Sequence, residues 1–99
     1  MIVVTATMTV APEHAEEFLA AARTVIAATT TEEPGCQSYD CSRDVSDETR
    51  FVFLEEWDDM AAIGAHVQTA HYLAFDEVAQ RVVAEREVTL HTVEKSRTV

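Results

Sequence analysis

Residues 50–57 (RFVFLEEW) have the alternating pattern of a β-strand in which both faces carry large apolar side chains. The alternation places Phe51 and Phe53 on one face and Val52 and Leu54 on the other. A strand that is apolar on both sides has to be covered on both sides. A chain of 99 residues has room for one small core. We therefore expect a sheet with helices packed on one face and a further layer on the other.

Three other segments have the β-prone pattern of strands, residues 2–10, 36–45 and 86–94. A polar turn of hairpin length at residues 46–49 separates the second of these from residues 50–57. In the first strand, every second residue is apolar and these residues share one face: Val4, Ala6, Met8 and Val10.

A helix is predicted between the first two strands. Pro12 suits its first turn, and Pro34 with Gly35 ends it. Its apolar residues recur at helical spacing and form one buried stripe: Ala15, Phe18, Leu19, Ala22, Val25 and Ile26.

Two more helices are predicted after residue 57. Asp58 or Asp59 is a candidate N-cap for a short helix that runs to about Val67. Thr69 is a candidate N-cap for the next helix, over residues 70–84. The buried stripe predicted for this last helix includes Leu73, Val78 and Val82.

The element order β-α-β-β-α-β is that of the ferredoxin-like fold, an α+β fold with a four-stranded antiparallel sheet and its helices on one face. We assign residues 1–95 to a single domain and residues 96–99 to a C-terminal tail. The other sheet face, with Val52 and Leu54 or the opposite set, would be bare and apolar. Patches of that size mark interfaces, so we predict a homodimer in which two sheets pack face to face.

The segment with the most side chains able to bind an aromatic ligand or to transfer a proton is residues 51–75. Phe51, Phe53, Glu55 and Trp57 share one strand face, and Tyr39 on the neighbouring strand could reach the same cavity. Such a wall could hold a flat aromatic molecule and move a proton, although phenylalanines are also ordinary core residues. The polar and aromatic residues that follow within ten positions are His66, Thr69, His71, Tyr72 and Phe75.

His71 is the first candidate for a base. If Thr69 caps the helix, His71 lies in the first turn, where the helix dipole disfavours the imidazolium. A neutral imidazole can accept a phenolic proton; a histidine that only binds a loop carbonyl fits the sequence equally well. Five helical residues turn through about 500°, so His66 would not share a face with His71. We interpret His66 as a second polar group that lines the pocket.

Glu55 is unusual because its strand face is otherwise apolar. It must find a donor, stay partly hydrated or take a raised pKa. It is therefore either a structural hydrogen-bond anchor or a proton acceptor. Trp57 and Tyr72 each have a polar tip that needs a partner.

No metal site is predicted. The two histidines lack the i,i+4 spacing of a metal pair, and no third ligand is evident beyond Glu55. Cys36 and Cys41 lack a C-x-x-C spacing. Their odd offset turns them to opposite strand faces, with Cys41 beside Gln37 and Tyr39, so we expect two free thiols.

Charge and composition exclude several classes of function. A net charge of −11 argues against nucleic acid as a partner. No apolar run approaches the roughly 18 residues that cross a bilayer, and the N-terminus continues directly into a strand pattern without a basic region. We expect no membrane partner and a cytoplasmic location. Only Gly35 and Gly64 are glycines, so no nucleotide-binding loop is expected.

Three motifs carry a family resemblance: E-P-G-C-x-x-Y at 33–39, F-x-F-x-E-x-W at 51–57 and A-H-x-x-T-x-H-Y-x-x-F at 65–75. Together they resemble the antibiotic biosynthesis monooxygenase (ABM) domain family, which includes the small quinol monooxygenases. The resemblance covers nearly the whole chain and implies a dimeric α/β-barrel.

The resemblance implies that O₂ oxygenates an electron-rich quinol, anthrone or polycyclic phenol, with no metal, haem, flavin or other cofactor. On that basis proton abstraction or phenolate stabilisation is assigned to His71 and His66, and hydrogen bonding to Tyr72. The remaining substrate-binding residues would be Trp57, Phe53 and Phe75 as stacking walls, with Tyr39 and Glu55 beside them.

Other functions remain open on the same scaffold. The chain could bind a small hydrophobic metabolite without chemistry or act as a dimerisation module. It could also isomerise or degrade a small metabolite without oxidation. Haem degradation is disfavoured, because the positions that such relatives use hold Ala6, His66 and Asp76 here.

Overall fold

The computed structural model describes all 99 residues. A single 3₁₀ turn (Pro12–His14) precedes the first α-helix. In chain order the regular elements are β1 (Ile2–Val10), α1 (Ala15–Glu32), β2 (Cys36–Arg43), β3 (Arg50–Trp57), α2 (Met60–His66), α3 (Ala70–Val82) and β4 (Val83–Thr92).

The four strands form one antiparallel sheet in the order β2-β3-β1-β4. The helices cover one face of this sheet, so the ferredoxin-like α+β fold predicted from the sequence is confirmed. The central strands β1 and β3 alternate strictly between buried and more exposed residues, as expected for strands with one covered face.

An aromatic cluster fills the core between sheet and helices. Phe18 of α1 lies 4.8 Å from the ring centroid of Phe51 and 5.9 Å from that of Phe75. Phe53 packs edge to face on Phe75 at 5.4 Å. The inner face of β1 contributes the aliphatic side chains predicted from its alternation: Val4, Ala6, Met8 and Val10.

The boundaries of three elements differ from the prediction. β2 ends at Arg43 rather than 45, and the last helix and the last strand meet earlier than expected. The helix ends at Val82 rather than 84, and β4 follows at once over Val83–Thr92 rather than 86–94. Leu73, which we placed in the buried stripe, is 55% exposed. The buried residues of α3 are Phe75, Ala79 and Val82, because the helix is rotated to bring Phe75 into the aromatic cluster.

A bulge in β2 corrects the predicted faces of that strand. The register against β3 shifts between Cys36 and Ser38, so that Cys36 pairs with Trp57 and Cys41 with Phe53. The extra residue reverses the side-chain alternation. Both cysteines therefore face the core, as free thiols, while Gln37 points outward and binds Asp58.

The face of the sheet without helices is uncovered. It carries Val52 and Leu54 of β3, as predicted, and Leu54 is 49% exposed. This face is apolar only in part, because β1 contributes Thr5, Thr7 and Thr9 to it. No helix in the structure is both long enough and apolar enough to cross a membrane.

Candidate functional site

A cavity of about 200 Å³ lies between the inner face of the sheet and the helices α2 and α3. Eleven of its 14 lining residues are hydrophobic, including Phe53 and Phe75. Val88 and Leu90 line it from the edge strand β4 and are 50% and 44% exposed, which marks the open side. The polar or hydrogen-bonding side chains in the lining are Tyr39, Glu55, His66, Tyr72 and Arg86.

His66 is the most enclosed polar side chain of this cavity. It is the last residue of α2 and is 2% exposed. Its ring packs against Trp57 at 4.7 Å, Tyr72 at 5.0 Å and Tyr39 at 5.3 Å between centroids. Its Nδ1 lies 2.7 Å from Oε2 of Glu33, whereas its Nε2 is buried and has no hydrogen-bond partner.

Glu33 contacts both His66 and His71, and its motif alone predicted no role for it. It directly follows α1 and opens the E-P-G-C turn. Gly35 in that turn packs so closely on α2 that an added Cβ would lie 2.6 Å from the Cβ of Ala62. This close approach holds the Glu33 carboxylate against His66. The motif pointed to Glu33, but no role followed because its partner is 33 residues away in the chain.

The structure brings His66 and His71, which were predicted not to share a helix face, to the same carboxylate oxygen. Nε2 of His71 is 2.6 Å from Oε2 of Glu33, and the two imidazole centroids are 6.1 Å apart. The two rings can meet because the residues lie on separate helices, as predicted, and the chain turns between them. Thr69 is the N-cap of α3, as predicted: its hydroxyl accepts from the Tyr72 N–H and donates to the carbonyl of His66.

His71 lies on the far side of Glu33 from the cavity. It lines a separate groove between α1 and α3, together with residues such as Ala20 and Thr24. It does not line the cavity that contains His66. Its assignment as first base stays a prediction, but its position suits a residue that holds Glu33.

Glu55 has the donor that its place on an apolar face requires. The indole N–H of Trp57 donates to its Oε1 at 2.9 Å. Burial raises the pKa of Glu55 to about 7, against the opposing effects of Trp57 and Arg86. Trp57 itself is fully buried behind the cavity and does not line it, so the predicted stacking wall consists of Phe53, Phe75 and the two tyrosines.

The hydrogen bonds fix the protonation pattern of His66. A carboxylate oxygen can only accept, so Nδ1 of His66 carries the hydrogen and Nε2 presents its lone pair. Burial lowers the pKa of His66, and Glu33 opposes this shift. The result is a neutral imidazole whose unpartnered acceptor nitrogen is buried in a residue that lines an apolar cavity, the protonation state required of a general base.

Arg86 is a second residue that we missed. It lies on the inner face of β4 and is the β-sheet partner of Met8 on the neighbouring strand β1. One guanidinium nitrogen binds Asp76 at 2.7 Å and another lies 3.4 Å from the Tyr72 hydroxyl. The sequence does contain a signal for this position, because the alternation of the strand places Arg86 on the same face as Val88 and Leu90.

Three potential metal ligands do come together, at Glu33, His66 and His71, with ligand atoms within 4.8 Å of one another. Glu33, rather than Glu55, is therefore the third potential ligand beside the two histidines. In the present geometry its Oε2 accepts from both rings at hydrogen-bond distance. A divalent ion would have to replace both of these hydrogen bonds.

The cysteines do not contribute a nucleophile. Burial raises the pKa of Cys36 and of Cys41 to about 11, so both are protonated thiols at neutral pH.

Comparison with known proteins gives the family. The family model for "Antibiotic biosynthesis monooxygenase" (ABM) matches residues 1–78. The chain belongs to the ABM family. The matched residues include Glu33, Glu55, His66 and His71, whereas Arg86 lies beyond them.

Individual ABM-type relatives agree with this assignment. The chain is 43% identical over 75 residues to "Putative monooxygenase YcnE" of Bacillus subtilis, covering 76% of this chain and 78% of that protein. It is 32% identical over 73 residues to "Probable quinol monooxygenase YgiN" of Escherichia coli, covering 66% and 70%. A structure from Nitrosomonas europaea, also described as an antibiotic biosynthesis monooxygenase with the qualifier "putative", superposes with a TM-score of 0.89 at 28% identity, over 96% of this chain and all of that one. These matches support a monooxygenase-type function.

Proposed function

We propose that this protein is a cofactor-independent monooxygenase that oxidises an electron-rich aromatic substrate, a quinol, anthrone or phenol, with O₂. The observation that carries the proposal is the unpartnered Nε2 of His66, buried at an apolar cavity while Nδ1 is held by Glu33. A neutral base with one fixed tautomer is the group that such a substrate needs. The family membership and the name of the Escherichia coli relative support the same reaction class.

The reaction needs only a proton acceptor and a place for the anion. His66 Nε2 removes a proton from the hydroxyl or the activated carbon of the substrate. The resulting anion is a strong reductant and gives its electrons to O₂. For an anthrone, the CH₂ group and O₂ become a carbonyl group and water, so substrate and O₂ supply all atoms and electrons. Tyr72 and Arg86 lie where they can hydrogen-bond the anionic oxygen.

The size of the cavity limits what can be enclosed. A cavity of roughly 150 Å³ holds a benzene ring, and this one measures about 200 Å³. One ring with its substituents, or two fused rings, would be enclosed. A larger polycyclic substrate would extend past Val88 and Leu90 at the open side.

The test is O₂ consumption with a panel of quinols and anthrones in buffer that contains a metal chelator. His66→Gln removes the base but keeps a polar side chain of similar size, and we expect the enzyme-dependent rate to fall by about 100-fold or more. His14→Gln, in the exposed 3₁₀ turn, is the matched control. Heat-denatured protein measures autoxidation.

Binding without chemistry is the competing function, and the same apolar cavity supports it. In that case the substrates would bind, as followed by quenching of Trp57 fluorescence, but O₂ uptake would not exceed the heat-denatured control. A rate unaffected by His66→Gln would also remove the proposed role of the base.

We further propose that the protein is a homodimer through the open sheet face, around Val3, Val52 and Leu54. Antiparallel sheets can leave one face to water, but the 49% exposure of Leu54 leaves apolar surface beside Val52 uncovered. The free thiols suit a reducing compartment, and the cytoplasmic location is part of this proposal.

A further inference from the structure

We infer that Glu55 is a proton donor that works opposite His66, so that the cavity catalyses keto–enol proton transfer on small cyclic ketones and 1,3-dicarbonyl compounds in the absence of O₂. The inference rests on the proposed function, because it uses the same base, but it adds a reaction that consumes no oxidant.

The two groups face one cavity and contact the same indole. Glu55 and His66 both line the cavity. Trp57 donates its N–H to Oε1 of Glu55 at 2.9 Å, and its ring lies 4.7 Å from the His66 ring. This is the only hydrogen bond made by the Glu55 carboxyl group, so Oε2 is free to carry a proton towards a ligand. Trp57 thus positions the Glu55 carboxyl group through its hydrogen bond and packs against one side of the His66 ring.

The surroundings of Glu55 favour its protonated form, whereas those of His66 favour its neutral form. Burial raises the pKa of Glu55 to about 7 and lowers that of His66. The other titratable groups around them are Arg86, which favours the Glu55 carboxylate, Glu33, which disfavours it, His71, which lowers the pKa of His66 further, Cys36 and two tyrosines. Tyr39 stays a neutral phenol because burial and Glu55 raise its pKa, and Tyr72 lies against His66 and Arg86. A base and an acid separated by their environments are a recurring catalytic pair.

The proton transfers balance without a co-reactant. The C–H bond next to the carbonyl breaks, and its proton forms an N–H bond at Nε2 of His66. The C–H electron pair forms the C=C bond, and the carbonyl oxygen takes the proton of the Glu55 carboxyl group. The products are the enol, an imidazolium and a carboxylate. Both side chains return to their starting state by exchange with water when the product leaves.

The cavity favours small carbon acids. At about 200 Å³, with eleven hydrophobic residues among 14, it accepts a one- or two-ring compound with one polar edge. The polar edge would face Glu55 and His66. The compound 2-tetralone has this size, and its C1 hydrogens lie between an aromatic ring and a carbonyl group.

The experiment follows hydrogen–deuterium exchange at C1 of 2-tetralone by NMR in D₂O under argon. We expect the protein to accelerate exchange above the buffer rate. Glu55→Gln keeps an oxygen acceptor for Trp57 but cannot donate an acidic proton, and it should lower the rate by about 100-fold, as should His66→Gln. Glu48→Gln, exposed in the turn between β2 and β3, should leave the rate unchanged.

The pH profile gives a readout that a structural role would not change. The wild-type rate should fall as pH rises through about 7, where Glu55 ionises. Glu55→Gln should lose this fall, whereas Glu55→Asp, which keeps an acid at shorter reach, should retain it at a lower rate. Exchange in Glu55→Gln equal to wild type, or no exchange above buffer, overturns the inference.

The two proposals fail in different ways. O₂ uptake in air without exchange under argon would retain the monooxygenase and remove the acid role of Glu55. Exchange under argon without O₂ uptake in air would retain the acid–base pair and remove the monooxygenase.

Discussion

Oε2 of Glu33 lies 2.7 Å from Nδ1 of His66, and this contact joins the end of α1 to the end of α2. Because the carboxylate can only accept, it keeps the hydrogen of His66 on Nδ1 and leaves Nε2 as an unpartnered acceptor. In the proposed reaction, this contact would therefore determine whether His66 can act as the base.

Glu33→Gln is the direct test of that relationship. The amide can donate as well as accept, so the alternative tautomer with hydrogen on Nε2 becomes accessible, and we expect kcat to fall by about 10- to 100-fold. Nitrogen NMR shifts of His66 measure the tautomer. Glu32→Gln, the exposed neighbour, is the control. An unchanged His66 tautomer together with full activity would contradict the role of Glu33.

His71 should matter less than His66. Its Nε2 donates to the same Glu33 oxygen from outside the cavity, so it positions Glu33. We expect His71→Ala to lower kcat by about 10-fold with little change in KM. His71→Gln, which can still donate to Glu33, should recover part of the loss. If His71→Ala were as severe as His66→Gln and also weakened substrate binding, His71 would touch the substrate, as the sequence predicts.

The close approach of the Glu33 turn to α2 depends on Gly35. A Cβ there would meet Ala62 at 2.6 Å, so Gly35→Ala should displace the turn. We expect a destabilisation of about 1–3 kcal/mol and loss of activity as the Glu33–His66 contact lengthens. Gly64→Ala, inside α2 with no atom within 4 Å of the added Cβ, should instead stabilise the protein. Urea denaturation of both variants measures the difference.

The fold was predictable because each element carries its own local signal. The strand alternation, the Thr69 cap and the Pro34-Gly35 stop are all short-range patterns. The site was predictable only in part. His66, Tyr72, Phe53, Phe75, Tyr39 and Glu55 do gather at one cavity, because strand parity and a strong N-cap fix where they point.

The features that the sequence did not predict depend on contacts between residues distant in sequence. The bulge at Cys36 adds one residue and reverses the parity beyond it, and no local pattern marks it. Glu33 reaches His66 and His71 only through tertiary packing. Trp57 belongs to the motif but lies behind the cavity, since the rings of Tyr39 and His66 cover it at 6.1 Å and 4.7 Å between centroids.

The open sheet face leads to a prediction on assembly. Leu54→Glu places a charge at the exposed apolar position of β3. If two copies pack through this face, burying the charge is unfavourable, and light scattering after size exclusion should show a dimer become a monomer. Val45→Glu, at a fully exposed loop position, is the control and should remain dimeric. A monomeric wild type, or a dimeric Leu54→Glu, would contradict the proposed interface.

The raised pKa of Glu55 predicts a specific loss of stability with rising pH. The folded state keeps this carboxyl group protonated up to about pH 7, whereas the ordinary value is 4.5. Between these values the folded state binds more protons than the unfolded state, so the free energy of unfolding decreases as pH rises. The shift in pKa corresponds to a loss of about 3 kcal/mol in the free energy of unfolding, and this loss is complete above pH 7.

Glu55→Gln removes this dependence because the amide does not ionise. Relative to the variant, the free energy of unfolding of the wild type should decrease by about 3 kcal/mol between pH 4.5 and pH 8. Urea denaturation at both pH values measures this difference. Glu48→Gln should follow the wild type at both. If the difference between wild type and Glu55→Gln were the same at pH 4.5 and pH 8, the carboxyl group would ionise alike in both states. Glu55 would then be no acid at neutral pH, and the exchange reaction proposed for it would lose its proton donor.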